Sequence, residues 1–142
     1  MSDHQNAYAA VPFTRWLGMT REFSHGGRAR FVLDPQPEHE NVIRAVHGGV
    51  VTTMLDVAMA SAAVSHIGFS KTAVTLNMNS AFLLPGRGRL VADGELLSVA
   101  DGVATCRAQV CDAAGQVVAR AQGCFRYLAH PAPSEKTPGD KP

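Results

Sequence analysis

The stretch HGGVVTTMLDVAMASAAVSH, residues 47–66, decides how the rest of this chain is arranged. Val50, Val51, Met54, Leu55, Val57, Ala58, Met59 and the residues to Val64 put apolar cover on nearly every side of a helix. Such a helix has to be buried on most of its sides. Its many alanines keep it slim, so a curved sheet can close around it.

Upstream, residues 18–33 read as two short strands around a His25-Gly26-Gly27 turn. The following DPQPEHENVIRAV, residues 34–46, holds two prolines and a polar run, which predicts an irregular loop. Downstream, strands are expected over Thr72–Leu84, Gly88–Val99, Val103–Asp112 and Gln116–Leu128. The breaks between them carry turn chemistry at Pro85-Gly86, Asp101-Gly102 and Ala114-Gly115. Short turns between long strands predict an antiparallel meander. A hairpin, one buried helix and four strands make an α+β domain over residues 18–129. An N-terminal segment, residues 1–17, carries a short helix within Tyr8–Leu17, and the Pro-rich, charged stretch His130–Pro142 reads as a disordered tail.

A chain of 142 residues fits one domain, and 46% hydrophobic residues suffice for its core. Charged residues are only 18%, low for a lone monomer surface, which hints at surface buried between subunits. A net charge of +1 provides no basic field for nucleic acid or anionic membrane. No apolar run approaches the roughly 20 residues that span a bilayer. The start MSDHQNAYAA lacks the pattern of a signal peptide. Three cysteines, Cys106, Cys111 and Cys124, without CxxC spacing, read as small strand residues in a reducing cytoplasm. The histidines His4, His25, His39, His66 and His130 have no mutual ligand spacing, so no metal is expected.

Asp56 is the residue that needs explaining. One helical turn away stand Thr52, Thr53, Met59 and Ala60, none of them a cation. A carboxylate on an apolar helix without such a partner is expected to be partly desolvated, which raises its pKa and suits it to base or nucleophile work. The alternative is a narrow solvated stripe of Thr52, Thr53 and Asp56. At the helix start, His47-Gly48-Gly49 replaces the usual Ser, Thr, Asp or Asn cap. The first amides then lack an obvious acceptor and are suited to a polarised carbonyl or an oxyanion. The alternative is a glycine-rich helix start satisfied by water. Gly48 and Asp56 are eight residues apart, about 12 Å along one helix, too far to act on one carbonyl. If both are catalytic, two helices must run antiparallel across a two-fold axis, giving an obligate homodimer with shared active sites.

The segment Asn41-Val42-Ile43-Arg44-Ala45-Val46-His47-Gly48-Gly49, with Asp56 nine residues after His47, resembles the hotdog-fold acyl-CoA thioesterases, nearest the phenylacetic acid degradation (PaaI) type. The likeness runs from about Gly18 to Leu128 and takes in Thr75-Leu76-Asn77-Met78-Asn79, Phe82-Leu83-Leu84-Pro85-Gly86 and the strands to Gln122-Gly123. Arg44 and Ala45 depart from it, standing where many members have glycine or another small residue. The resemblance implies a curved antiparallel sheet wrapped around one long central helix. It implies Asp56 as nucleophile or general base, Gly48 N–H as oxyanion donor and Asn41 orienting the carbonyl or the water. It further implies His47 shaping the helix start near the thioester sulfur and Thr75 lending a hydroxyl beside the acid. Gly49, Arg87 and Arg89 would help hold the substrate, although exposed charges at a strand turn, as at Arg87 and Arg89, are more often simply solvated. Coenzyme A would be part of the substrate, with no separate cofactor, and dimers would pair into a homotetramer. A hotdog hydratase or dehydratase, and a non-enzymatic acyl-CoA binding module, are the rival readings.

Overall fold

The computed structural model describes residues 11–132. Tyr8 and most of the expected C-terminal tail lie outside them. Helix α1, Pro12–Leu17, begins on a proline whose fixed φ suits a first turn, and it ends at Gly18, where φ is +80°. Thr14 and Leu17 are its buried face. Strands β1, Thr20–His25, and β2, Arg28–Leu33, form the expected hairpin. Its turn needs left-handed backbone at both central positions, and Gly26 and Gly27 provide φ of +60° and +86°. The loop that follows contains one short 3-10 turn, Pro37–His39.

Helix α2, Gly48–His66, is the long apolar helix read from the sequence. Met54, Leu55, Ala58, Met59, Ala62 and Ala63 are fully buried beneath the sheet. It is long and apolar enough to cross a membrane, contrary to the expectation that no run came close, but 56% of it is buried inside this fold as the core helix. The sheet comprises β1, β2, β3 (Thr72–Phe82), β4 (Leu90–Ala100), β5 (Val103–Cys111) and β6 (Val117–Leu128). Its order is β1-β2-β4-β5-β6-β3, antiparallel throughout.

That order corrects the expected four-strand meander. Only β4, β5 and β6 follow one another; β3 pairs with β6 at the far edge, and β4 pairs with β2. The reason lies in the connection around Pro85-Gly86, which is a crossover rather than a hairpin turn. Leu83 and Leu84 N–H donate to Val118 O, and Gly86 O accepts from Val46 N–H at 2.8 Å. The chain thereby passes the start of α2 before entering β4.

Close contact between helix and sheet depends on small residues. A Cβ on Gly94 of β4 would lie 2.2 Å from the Ala58 carbonyl oxygen, so only glycine permits this approach. Two buried serines of α2 also bond to the first hairpin. Ser61 Oγ lies 2.8 Å from Ser24 Oγ, and Ser65 Oγ accepts from Gly27 N–H at 3.0 Å. From the other side Tyr127 Oη–H donates to Ala63 O at 2.6 Å. These bonds satisfy buried polar groups that would otherwise be costly. All three cysteines are free thiols. Burial, with a lesser contribution from Cys124, pushes the Cys106 thiol up to about 12. His130, assigned to the tail, shares a hydrogen bond with Phe69 O at 2.8 Å.

Candidate active site

Asp56 lies half-buried on the one stripe of α2 that the sheet does not cover, along with Gly49, Thr53, Val57 and Ala60. Its Oδ1 accepts from the Thr75 hydroxyl at 2.5 Å. This is the short end of the range for a hydroxyl donating to a carboxylate. Thr75 sits where β3 shifts register against β6, between Thr75 and Asn77. The other oxygen, Oδ2, has no hydrogen-bond partner among the described residues.

Neither of the two threonines one turn earlier bonds to the acid. Thr52 Oγ1–H donates back to Gly48 O at 2.7 Å, and Thr53 Oγ1–H to Gly49 O at 2.9 Å. Thr52, Thr53 and Asp56 are all partly exposed, as a solvated stripe would be, but the two hydroxyls are spent on the helix backbone. The carboxylate's partner comes from the sheet instead.

The helix start also differs from the sequence reading. His47 is itself the N-cap: its Nδ1 accepts from Gly49 N–H at 2.8 Å. An imidazole that accepts at Nδ1 carries its proton on Nε2 in the neutral form. Gly49 N–H is thus occupied, and Val50 and Val51 N–H both donate to His47 O. Gly48 N–H alone finds no acceptor among the described residues. The set of free amides narrows to one, the amide singled out as oxyanion donor. A Cβ on Gly48 would meet only the Phe82 ring, at 3.7 Å, so this position is not sterically closed.

Asn41 has a larger structural role than expected. Its Oδ1 accepts from Ile43 N–H and Ala45 N–H, both at 3.1 Å, folding the loop before the helix. Only its Nδ2 donors are left over for a ligand. Arg44 in that loop adopts φ +57°, the left-handed region where a glycine would rest without strain. Arg87 stabilises the same turn, its guanidinium donating to Arg44 O at 2.8 Å and to Ile43 O. Arg89 is held by both oxygens of Asp34 at 3.2 and 3.0 Å. Of the two arginines, Arg87 has no carboxylate partner among the described residues, while the charge of Arg89 is compensated. No group of three or more His, Cys, Asp or Glu among the described residues could hold a metal ion.

The sequence profile of the thioesterase superfamily matches residues 44–119, just over half of the chain, and spans the helix start, Asp56 and Thr75. The chain belongs to the thioesterase superfamily. It is a thioester hydrolase by family, and its fold is the hotdog fold expected from the resemblance. A protein of Halobacterium salinarum, named provisionally as an esterase, is 29% identical over 127 residues, covering 80% of this chain and 82% of its own. The E. coli PaaI protein from the phenylacetic acid degradation operon superposes with a TM-score of 0.81 at 20% identity, over 88% of this chain and 90% of that one. A thioesterase family protein from Silicibacter pomeroyi gives 0.82 at 20% identity, over 89% and 96%. At that identity the two structures establish the shared architecture and nothing finer.

The self-capping of His47 and the closing of the loop by Asn41 were missed by sequence reasoning. Each had a signal. A histidine before two glycines can accept at Nδ1 much as asparagine does at Oδ1, and Asn41 stands four residues before Ala45, within reach of a turn amide.

Proposed function

We propose that this thioesterase hydrolyses acyl-CoA esters at two equivalent sites shared between the subunits of a homodimer. Gly48 N–H of one subunit polarises the thioester carbonyl, and Asp56 of the partner subunit acts on it. Acting as general base, Asp56 takes a proton from water while the water oxygen bonds to the carbonyl carbon. The C–S bond then breaks and coenzyme A leaves as thiolate, a leaving group good enough to need no strong acid. Acting as nucleophile, the same carboxylate would form an anhydride that water opens. Thr75 fixes the carboxylate, and the spare donors of Asn41 orient the carbonyl or the water. Arg87 and Arg89 would help hold the nucleotide, Arg87 the more readily because no carboxylate among the described residues compensates its charge, whereas Asp34 compensates that of Arg89.

The observation that carries this reading is the pairing of one anchored carboxylate with one unused helix-start amide, eight residues apart on the same helix. At about 12 Å along the axis they cannot meet within a chain. The uncovered stripe of α2 and the exposed edge strand β3, which leaves Val74, Leu76 and Phe82 at 42–55% exposure, supply the apolar surface a second copy would cover. We place the protein in the cytoplasm on its three free thiols, and its dimers pair into tetramers.

Free thiol released from acyl-CoA, followed with a thiol reagent across aryl, short, medium and long acyl groups, is the deciding assay. A hydratase would consume an enoyl thioester without releasing thiol, and a binding module would show affinity alone. Asp56→Asn at wild-type stability should lower turnover by ~10²–10⁴; undiminished release of thiol would remove Asp56 from the reaction.

A further inference from the structure

Beside the start of α2 lies a groove of about 640 Å³ between α1 and the loop that carries the 3-10 turn. That volume is in the range of small-molecule sites. One wall is the ring of Trp16, which is 80% exposed, and Leu17, Val32 and Val50 add apolar surface. At the helix end the groove reaches His47, the residue before the free Gly48 amide.

The charge of the groove has a single sign. Asp34, Glu38 and Glu40 line it, and no lysine or arginine does. Arg89 compensates Asp34. Glu38 and Glu40 have no ion-pair partner among the described residues. Within the lining, His39 is 9% exposed, and its Nδ1 accepts from Gln36 N–H at 3.0 Å, which leaves the imidazole proton on Nε2. The groove therefore offers an aromatic plate, apolar walls, an imidazole N–H and two uncompensated carboxylates.

The geometry points to this groove as the acyl pocket of the proposed site, selecting uncharged acyl groups and rejecting those that end in a carboxylate. The inference rests on the acyl-CoA reading above and adds the substrate class. The nucleotide of coenzyme A, with its phosphates, is repelled by the same two carboxylates, so the acyl arm is the part of the substrate that fits. Glu38 and Glu40 are specificity residues that touch no reacting atom, and Trp16 is the surface on which the acyl group lies.

The test compares hexanoyl-CoA with adipyl-CoA, which differ in a terminal carboxylate, and uses acetyl-CoA as a short control. Hexanoyl-CoA should be favoured in kcat/KM by about tenfold or more. In Glu38→Gln/Glu40→Gln the gap should shrink to within about threefold, through a gain for adipyl-CoA. Trp16→Ala, a change at an exposed site, should weaken hexanoyl-CoA about tenfold and leave acetyl-CoA unmoved. Equal use of the two six-carbon esters by the wild type, or an unchanged ratio in the double variant, overturns the pocket. Trp16 is the chain's single tryptophan, so its emission reports occupancy without turnover. Hexanoyl-CoA should shift that emission in Asp56→Asn, whereas adipyl-CoA and coenzyme A alone should not. If no ester releases thiol, the hydrolytic reading falls and the emission still decides the groove. If thiol is released while emission stays flat and Trp16→Ala is silent, the groove falls and the hydrolytic reading stands.

Discussion

The Thr75 hydroxyl donates to Asp56 Oδ1 at 2.5 Å, joining an edge strand to the only carboxylate of the central helix. One oxygen of the acid is thereby fixed and the other left available. A hydrogen bond to a charged group contributes about 1.5–3 kcal/mol. It also limits the rotamers open to the Asp56 side chain.

Replacing Thr75 by Val removes the donor and nearly conserves shape. We expect kcat to fall roughly 10- to 100-fold with little change in KM, while Thr75→Ser stays near wild type. Steady-state kinetics with one acyl-CoA is sufficient. A loss confined to KM would mean that Thr75 binds substrate and does not position the acid.

His47 caps α2 through Nδ1. His47→Ala should cost about 1 kcal/mol of stability, and His47→Asn, which can accept from the same amide, should recover most of it. Urea midpoints at constant slope provide the measurement. Activity should follow the same order, because a frayed first turn no longer holds the Gly48 amide in place.

At Gly94 the sheet packs directly on the backbone of α2. A methyl group there lies 2.2 Å from Ala58 O, which is backbone and cannot rotate away. Gly94→Ala should destabilise the fold by about 3 kcal/mol or more, at or above the usual range for overpacking. If thermal unfolding moved by no more than a degree or two, the packing described for this contact would be wrong.

Alkaline pH should weaken the protein through two groups. Burial holds Tyr127 at about 12, with a smaller contribution from Cys106, and Cys106 itself is raised to about 12 by burial. In the unfolded chain the thiol and phenol ionise near ~8.5 and ~10. The folded state thus keeps protons that the unfolded state releases. Their contribution is complete below about pH 8.5, declines above it, and is lost as pH rises through about 12. The slope of stability against pH between those limits should flatten in Cys106→Ala/Tyr127→Phe. In the native protein at pH 8, Cys106 should resist alkylation until denaturant is added.

Local patterns in the chain are enough to specify the buried helix, the strands that flank it and a glycine-opened helix start eight residues before Asp56. Those patterns are apolar cover at Val50–Val64, turn residues between strands and a run of residues shared with a known family. The sequence alone could not place β3, because a linker containing Pro85-Gly86 reads alike as hairpin and crossover; packing against the start of α2 decided between them. The hydroxyl of Thr75 beside Asp56, nineteen residues on, was expected only through the family resemblance, and periodicity alone left Asp56 without a partner. Periodicity reports which face a residue occupies. Which donor meets which acceptor depends on the distance between elements, and that is set only when Gly94 lets the helix settle on the sheet.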